Sequence, residues 1–493
     1  MKHKITALFF AFLFILGSNL QAFAQEGSET DPGGFDLAST MQQVSAFNAG
    51  FGLTNIDGQN YIGFRIQPEL VLGKLGVGID APLLFSLDDG KIRLDEYKGG
   101  VGLLRMFRYV RWGVKKQDPV YLRAGDLTGE YLGYGLLINN YTNATSFEKR
   151  KVGLAWDILI KDMVGIEGLY SDFNAESFNL FGIRPYVRPL ANSGIPILKT
   201  MEVGVSYVTD RDATKMNITD STEIVSLFTE EGTSAFSADM GVWFINNRFI
   251  RLSGAVQYGQ LFENKSDTFK LIREEHALTL PTEDAELVRN YGSGSGFSVG
   301  LDLKVNVIAN ILRVDARIDR LWYSDYFMPQ FFDAYYEMNK DGKLLSLSHT
   351  KEKKGIYGSL SASLINKIMV RGSLLIPDGV GPHAPGFIEL TLDGSQLMEK
   401  VIIQGTYIKG GLLDFSANEI FTFDERSLTN LRVAYKLKPW LLLGVDYKWT
   451  YARTENDTFE AVSHFNPYFG ISLPFGQGNS NSTESTGETD YGY

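Results

Sequence analysis

The sequence predicts an all-β protein, a transmembrane antiparallel up-and-down β-barrel of about 16–22 strands. Three observations predict it. No stretch after the N-terminal segment has the long uncharged apolar run of a membrane helix. Apolar and charged residues alternate over segments of roughly 10–13 residues, where strands of soluble proteins usually have about 5–6. Short and long polar connections also take turns along the second half of the chain.

Composition removes other classes first. With 44% hydrophobic and 13% aromatic residues among 493, the chain is not a disordered protein. It has no Cys, which excludes disulfide scaffolds, thiol enzymes and Cys-built zinc sites. A net charge of −11 without a polybasic block argues against nucleic acid as a partner.

Residues 1–24 read as a signal peptide. Lys2 and Lys4 precede the apolar run Ile5–Leu20, and Ala22-Phe23-Ala24 offers a small-x-small cleavage pattern that leaves Gln25 first. Without the two lysines the charge goes from −11 to −13, and the mature chain is expected outside the cytoplasm of a bacterium. Residues 25–43 form a short N-terminal periplasmic segment, 44–475 the barrel, and 476–493 a flexible polar tail rich in Gly, Ser, Thr and Glu, also periplasmic. Only about 20 residues separate the cleavage site from the first alternation, so a plug domain like those of energised transporters is not expected.

Within the barrel, candidate strands lie near 44–55, 60–72, 75–86, 101–114, 119–140, 148–160, 164–172 and 177–188. Alternation is clearest further on. Val299, Leu301, Leu303, Val305 and Val307 share one face, set against Asp302, Lys304 and Asn306. After Ala309-Asn310, Leu312, Val314, Ala316 and Ile318 oppose Arg313, Asp315, Arg317 and Asp319. Met201, Val203, Val205 and Tyr207 repeat the pattern, as do Leu431, Val433, Tyr435 and Leu437. Tight breaks fall at Lys161-Asp162, Asn246-Asn247, Ala309-Asn310, Asn366-Lys367 and Lys438-Pro439, and long connections at 210–234, 262–295, 324–353, 377–386, 410–427 and 453–461. Tyr207, Tyr258, Trp322, Tyr323, Trp440, Trp449 and Tyr451 sit near strand ends, where interfacial girdles lie. A secreted β-sandwich would also alternate, but strand length, these aromatics and the dense charge on the polar faces favour the barrel.

Over residues 44–475 this pattern resembles the porin-like outer-membrane β-barrels of Gram-negative bacteria, in architecture rather than by motif. The Gly/Tyr/Asn-rich texture of 119–145 is similar to that of Bacteroidota members. Phe469, Ile471, Leu473 and Phe475 resemble the family's terminal assembly signal, with the departure that an 18-residue tail follows. The resemblance implies residence in the outer membrane, contact with its lipid and lipopolysaccharide, and recognition of the final strand by barrel-assembly machinery. The oligomeric state stays open, a homo-oligomer included.

If the apolar faces meet lipid, the charged faces line the lumen. That set comprises Asp302, Lys304, Arg313, Asp315, Arg317, Asp319, Arg251, Asp239, Arg432 and Lys436, with Arg371, Asp446 and Lys448 beside them. Mixed charge along a wet bore selects polar solutes by size and charge, although the same residues could serve as a structural salt-bridge lattice. Segment 121–135 breaks the alternation with Gly125, Gly129, Gly133 and Gly135. One reading makes Arg123, Asp126 and Glu130 a constriction on an infolded segment, and the plainer one is a bulged strand. The aromatic run 321–336 reads as girdle passing into loop, with a sugar-binding slide as the alternative.

Little points to an enzyme. There is no Gly-x-Ser-x-Gly, His-Glu-x-x-His or phosphate-cradling motif, and His276 and His349 read as solvated loop residues despite Ser346 and Ser348 nearby. The acidic 262–290 connection lacks the calcium-loop pattern, and no cofactor or metal is expected. The expected function is a passive outer-membrane channel for small polar solutes. The alternatives are a barrel that assists surface assembly or secretion through its loops, and an outer-membrane hydrolase.

Overall fold

The computed structural model describes residues 46–474 apart from 57–58, 95–96, 98–101, 117, 144–150, 174–178, 212–213, 221–222, 230–231, 248, 308–310, 339, 365–367, 395–397, 425 and 454–458. The expected signal peptide, the 25–43 segment, Phe475, the tail and the breaks at Ala309-Asn310 and Asn366-Lys367 lie outside the described residues.

Alternating sequence becomes wall. It begins with β1 (Ala46–Ile56), β2 (Gln59–Leu72), β3 (Leu75–Ile79), β4 (Ala81–Ser86), β5 (Ile92–Arg93) and β6 (Phe107–Trp112). It continues through β7 (Val120–Gly125), β8 (Gly153–Ile160), β9 (Val164–Tyr170), β10 (Phe181–Val187) and β11 (Glu202–Asp210). β12 (Thr214–Asp220) and β13 (Glu223–Thr229) form a separate two-stranded ribbon. The wall resumes with β14 (Thr233–Asn246), β15 (Ile250–Phe262), β16 (Gly294–Val307), β17 (Leu312–Tyr323), β18 (Lys353–Leu364) and β19 (Ile368–Pro377). It ends with β20 (Gly386–Asp393), β21 (Val401–Leu412), β22 (Ser427–Lys438), β23 (Leu441–Arg453) and β24 (Phe459–Pro474). All strand pairings are antiparallel, and β24 returns to β1 with Ala46 opposite Pro474, closing the 22-stranded sheet on itself. β3 and β4 keep a single register along β2, interrupted only at Asp80, while β5 and β6 share their other edge. The 22 segments therefore occupy 20 positions around the barrel.

The rims differ as the sequence suggests. One carries tight turns such as Lys161-Asp162, whose φ angles of 50° and 55° are the paired positive values of a primed β-turn, closed by the Met163 amide on the Ile160 carbonyl. The other carries the β12–β13 ribbon, helices α1 (Asp267–Leu278) and α2 (Thr282–Arg289) between β15 and β16, α3 (Lys340–His349) between β17 and β18, and α4 (Ala417–Phe421) between β21 and β22.

The outer surface is apolar. Val299, Leu301, Leu303, Leu431, Val433 and Tyr435 are exposed, as are Phe64, Phe236, Ile318 and Phe469. Tyr258, Phe297 and Trp322 lie opposite one another across β15, β16 and β17 and form an aromatic row toward the long-loop rim. Of the other residues expected in the girdle, Tyr207 and Trp440 are exposed, the side chains of Trp449 and Tyr451 lie outside the described ones, and Tyr323, one residue after Trp322, points inward and is buried. Because Leu301 is 49% exposed on this lipid-facing surface, Leu301→Arg should destabilise the barrel by about 2–4 kcal/mol. Ser361→Arg, opposite Asp315 on the inner face, should cost far less. Urea unfolding in lipid vesicles measures both.

Two expected strands are shorter than read. Of 101–114, Gly102–Met106 is a 3-10 turn and only Phe107–Trp112 joins the wall. Of 119–140, the wall keeps Val120–Gly125 and the rest turns inward. Among the described residues no helix is long and apolar enough to cross a membrane.

Candidate functional site

The turn inward at Gly125 is where the lumen acquires its content. Gly125, Gly129, Gly133 and Gly135 all have positive φ, which stops strand geometry after Gly125. The segment 126–143 then crosses the barrel, tied to successive strands of the inner wall. Arg184 of β10 lies over the Tyr134 ring, and Arg317 of β17 donates to the Tyr134 carbonyl. The Leu136 amide donates to Gln257 of β15 (2.9 Å), Asn139 donates to the Tyr357 hydroxyl of β18 (3.0 Å), and Asn140 donates to Glu389 of β20 (2.6 Å).

A second segment descends beside it from the β17–β18 connection. The Asn139 amide donates to the Phe332 carbonyl, the Phe332 amide to Leu137 and the Gln330 amide to Leu136, a short backbone seam between the two loops. Leu127, Leu132, Leu137, Ile138 and Tyr141 pack there with Phe327, Phe331, Phe332, Tyr336, Leu344 and Leu347 in one continuous apolar cluster. The girdle reading of the aromatic run 321–336 therefore holds for a single residue. Only Trp322 reaches the outside, while Phe327, Phe331 and Phe332 are completely buried in the interior. Its backbone can turn inward because Tyr326 and Gln330 adopt left-handed φ values of 61° and 57°, held by hydrogen bonds to Thr350 and Leu136.

Beneath this apolar seam lies an ionic one. The Arg184 side chain is fully buried and bonds three carboxylates on neighbouring strands. Nη1 donates to Glu167 (2.7 Å) and Glu202 (2.8 Å), Nε donates to Asp239 (2.9 Å), and Nη2 also reaches Asp239. Gly204 makes the room, since a Cβ there would lie 2.4 Å from the guanidinium carbon. From the short-turn rim, the β6–β7 turn folds up to meet the network. Lys116 reaches Glu167 (3.1 Å) and Glu202 (3.6 Å), and Lys115 bonds Glu130 (3.1 Å) and the Tyr131 carbonyl (2.6 Å). Connections from both rims thus meet inside the barrel. A third anchor sits nearer the long-loop rim, where buried Glu337 takes Tyr141, Lys151 (2.6 Å) and Lys340 (3.3 Å). Burial alone would raise the Glu337 pKa, but the two ammonium groups win and hold it below its ordinary value.

The charged residues singled out by sequence occupy several places along the wall. Asp239 is in the Arg184 network. Arg317 pairs with Asp319 (2.6 Å) and stands opposite Asp302, while Arg313 approaches Asp315 (3.5 Å). Arg251 and Lys304 are register partners on adjacent strands. Arg432 bonds Asp446 (2.8 Å) across β22–β23, and Lys436 is half-buried further down β22. The structure does not unite them in one cluster. Arg123, Asp126 and Glu130 stand at the root of the crossing segment: Arg123 bonds the Asp126 carbonyl (2.8 Å) and Thr128 (3.0 Å), and Glu130 takes Tyr121 (3.1 Å) and Lys115.

Sequence reasoning passed over Arg184, Glu167, Glu202 and Lys115-Lys116. Glu202 was within reach, since it alternates with Met201 and Val203. The lysines carried no signal, because a polar pair in a tight turn ordinarily faces solvent. The serine–histidine idea at the rim finds different geometry: Ser346 and Ser348 donate to the carbonyls of Gly342 and Leu345, and His349 faces His276.

A closed wall with every ladder paired, apolar outside and ionic inside, is a transmembrane β-barrel of the bacterial outer-membrane type. No protein-family model and no curated protein matches the chain. Solved structures with which it aligns include Pseudomonas aeruginosa OpdL (11% identity, 88% of this chain and 99% of that one, TM-score 0.31). Pseudomonas aeruginosa OpdO aligns at 10% identity over 87% and 97% with a TM-score of 0.33, and Pseudomonas aeruginosa OpdQ at 13% over 88% and 98% with a TM-score of 0.28. These superpositions are too loose to speak to solute or mechanism.

Proposed function

We propose that the protein is a porin-like outer-membrane channel through which small polar solutes diffuse passively, its passage narrowed by the two infolded connections. The long-loop rim faces the cell exterior, following the usual layout of such barrels. The supporting observation is the combination of a closed wall with an inner face of ionised side chains. A barrel of this circumference encloses an aqueous lumen wherever its own loops do not fill it. On this reading selection comes from bore size and from the charges on the wall and at the root of the crossing segment.

The test is single-channel recording on the refolded full chain in planar bilayers. Discrete conductance steps are expected. A barrel that shows the heat-dependent mobility shift of a folded wall but gives no steps would overturn the proposal. Where steps appear, Asp126→Asn combined with Glu130→Gln should move the reversal potential toward anion preference, and an unmoved potential would remove those two carboxylates from the pathway.

A further inference from the structure

Of the five histidines in the chain, three lie in a row at the long-loop rim, His276 against His349 and His349 against His383, although they come from three different connections. His276 lies in the last turn of α1, His349 ends α3, and His383 belongs to the β19–β20 connection. The Nε2 atoms of His276 and His349 face each other at 2.8 Å, with the rings edge to face at 4.9 Å. Two imidazole nitrogens at that distance need one proton between them. With none, two lone pairs oppose; when both rings are fully protonated, two N–H donors and two cations oppose.

His383 is bonded differently. Its Nδ1 faces the His349 carbonyl at 3.1 Å and its Nε2 faces Asp284 of α2 at 2.9 Å. Both partners are acceptors, and the ring lies stacked 6.5 Å from His349. Two ion pairs flank the junction, Glu283 of α2 with Lys351 (3.0 Å) and Glu274 of α1 with Arg289 (3.0 Å), and α1 also carries Arg273, over the Tyr291 ring, and Glu275 beside His276. Among the described residues no three metal-ligating side chains converge, so the geometry suits a shared proton better than a metal.

We propose that the His276–His349 contact is a proton-sensitive latch joining the β15–β16 connection to the β17–β18 connection, closed at neutral pH and released by mild acid. What it holds matters, because α3 also carries Lys343, which donates to the Phe331 carbonyl (2.7 Å), and Leu344 and Leu347, which pack on the interior rings. Burial lowers the His276 pKa, and burial together with the neighbouring His276 and His383 brings His349 down to about 4. The folded latch therefore binds fewer protons than its opened form. Its stability is complete above the ordinary histidine value and is lost as pH falls from there toward the depressed value. Over that window Glu337 stays ionised, since its own pKa is lowered, so the remaining anchors of the connection hold.

The experiment is hydrogen exchange on the refolded full chain in nanodiscs, read on peptides covering 340–349 and corrected for the intrinsic exchange rate. Between about pH 7.5 and about pH 5, protection of these peptides should fall on the order of tenfold or more. The double variant His276→Gln/His349→Gln keeps hydrogen-bonding groups at the contact without a titrating ring, and it should flatten the response while leaving the barrel's mobility shift intact; each single variant should weaken the response. Wild-type protection that does not change with pH, or Gln variants that respond as the wild type does, would overturn the latch. So would zinc chloride that raises protection at neutral pH in the wild type and not in His276→Gln, since that would make the contact a metal site. The readout does not require conduction, so it stands or falls separately from the channel proposal.

Discussion

Arg184→Met should cost the folded barrel about 3–5 kcal/mol, because it removes one partner from a buried charged cluster and leaves the others behind. The guanidinium is 0% exposed and supplies hydrogen bonds to Glu167, Glu202 and Asp239 at once, from the middle of a β9–β10–β11–β14 wall that cannot shift without breaking its ladders. Methionine fills much of the volume but donates nothing. Lys116 would then be left to serve Glu167 and Glu202, and Asp239 would lose both of its bonds to Arg184. The loss arises from stranded carboxylates more than from forfeited attraction, and that distinction can be measured. Arg184→Met combined with Glu202→Gln and Asp239→Asn should recover a large part of the deficit. Arg184→Lys should fall in between, since an ammonium keeps the charge but cannot serve three strands with a planar fork. Urea unfolding in lipid vesicles, followed by tryptophan fluorescence, gives all three values. A single mutant within about 1 kcal/mol of wild type would mean that water reaches these carboxylates and that the cluster is an exposed lattice.

The cluster also shows where reading a sequence works and where it stops. Strand alternation is a local signal of period two, so Leu301 outside and Asp302 inside could be assigned from neighbours alone, and every register partner inherits the assignment. The alternation of short and long connections was equally plain, because turn chemistry is written in two or three residues. What could not be read is what the connections do once they leave the wall. Leu127 to Tyr141 and Phe327 to Tyr336 are apolar enough to need cover, but the cover each finds is the other, about two hundred residues away in the chain. A one-dimensional pattern cannot distinguish such mutual burial from an aromatic girdle, so within 321–336 the girdle reading fits Trp322 and misses Phe327, Phe331 and Phe332. The three histidines are a similar case: each looks like an ordinary loop residue until the rim brings them together.

The mutual burial of the two connections sets up the second large effect. Phe331 and Phe332 are each 0% exposed, with ring centroids 5.1 Å apart, and both pack on Tyr336. Truncating a buried Phe to Ala costs about 3–5 kcal/mol. Here that cost falls on the association of two loops rather than on the wall, whose strands pair without either of them. Phe331→Ala combined with Phe332→Ala should therefore leave the mobility shift of the folded barrel nearly unchanged, while the seam between Leu136–Asn139 and Gln330–Phe332 comes apart. If those loops narrow the passage, single-channel conductance should rise severalfold, with larger current fluctuations as the freed segments move in the lumen. Sensitivity to added protease should appear in 324–352 at the same time. Conductance that stays at the wild-type level while the protease reports the loops free would show that solutes pass elsewhere along the wall, and the narrowing would then have to be sought among the charged side chains of β16, β17 and β22.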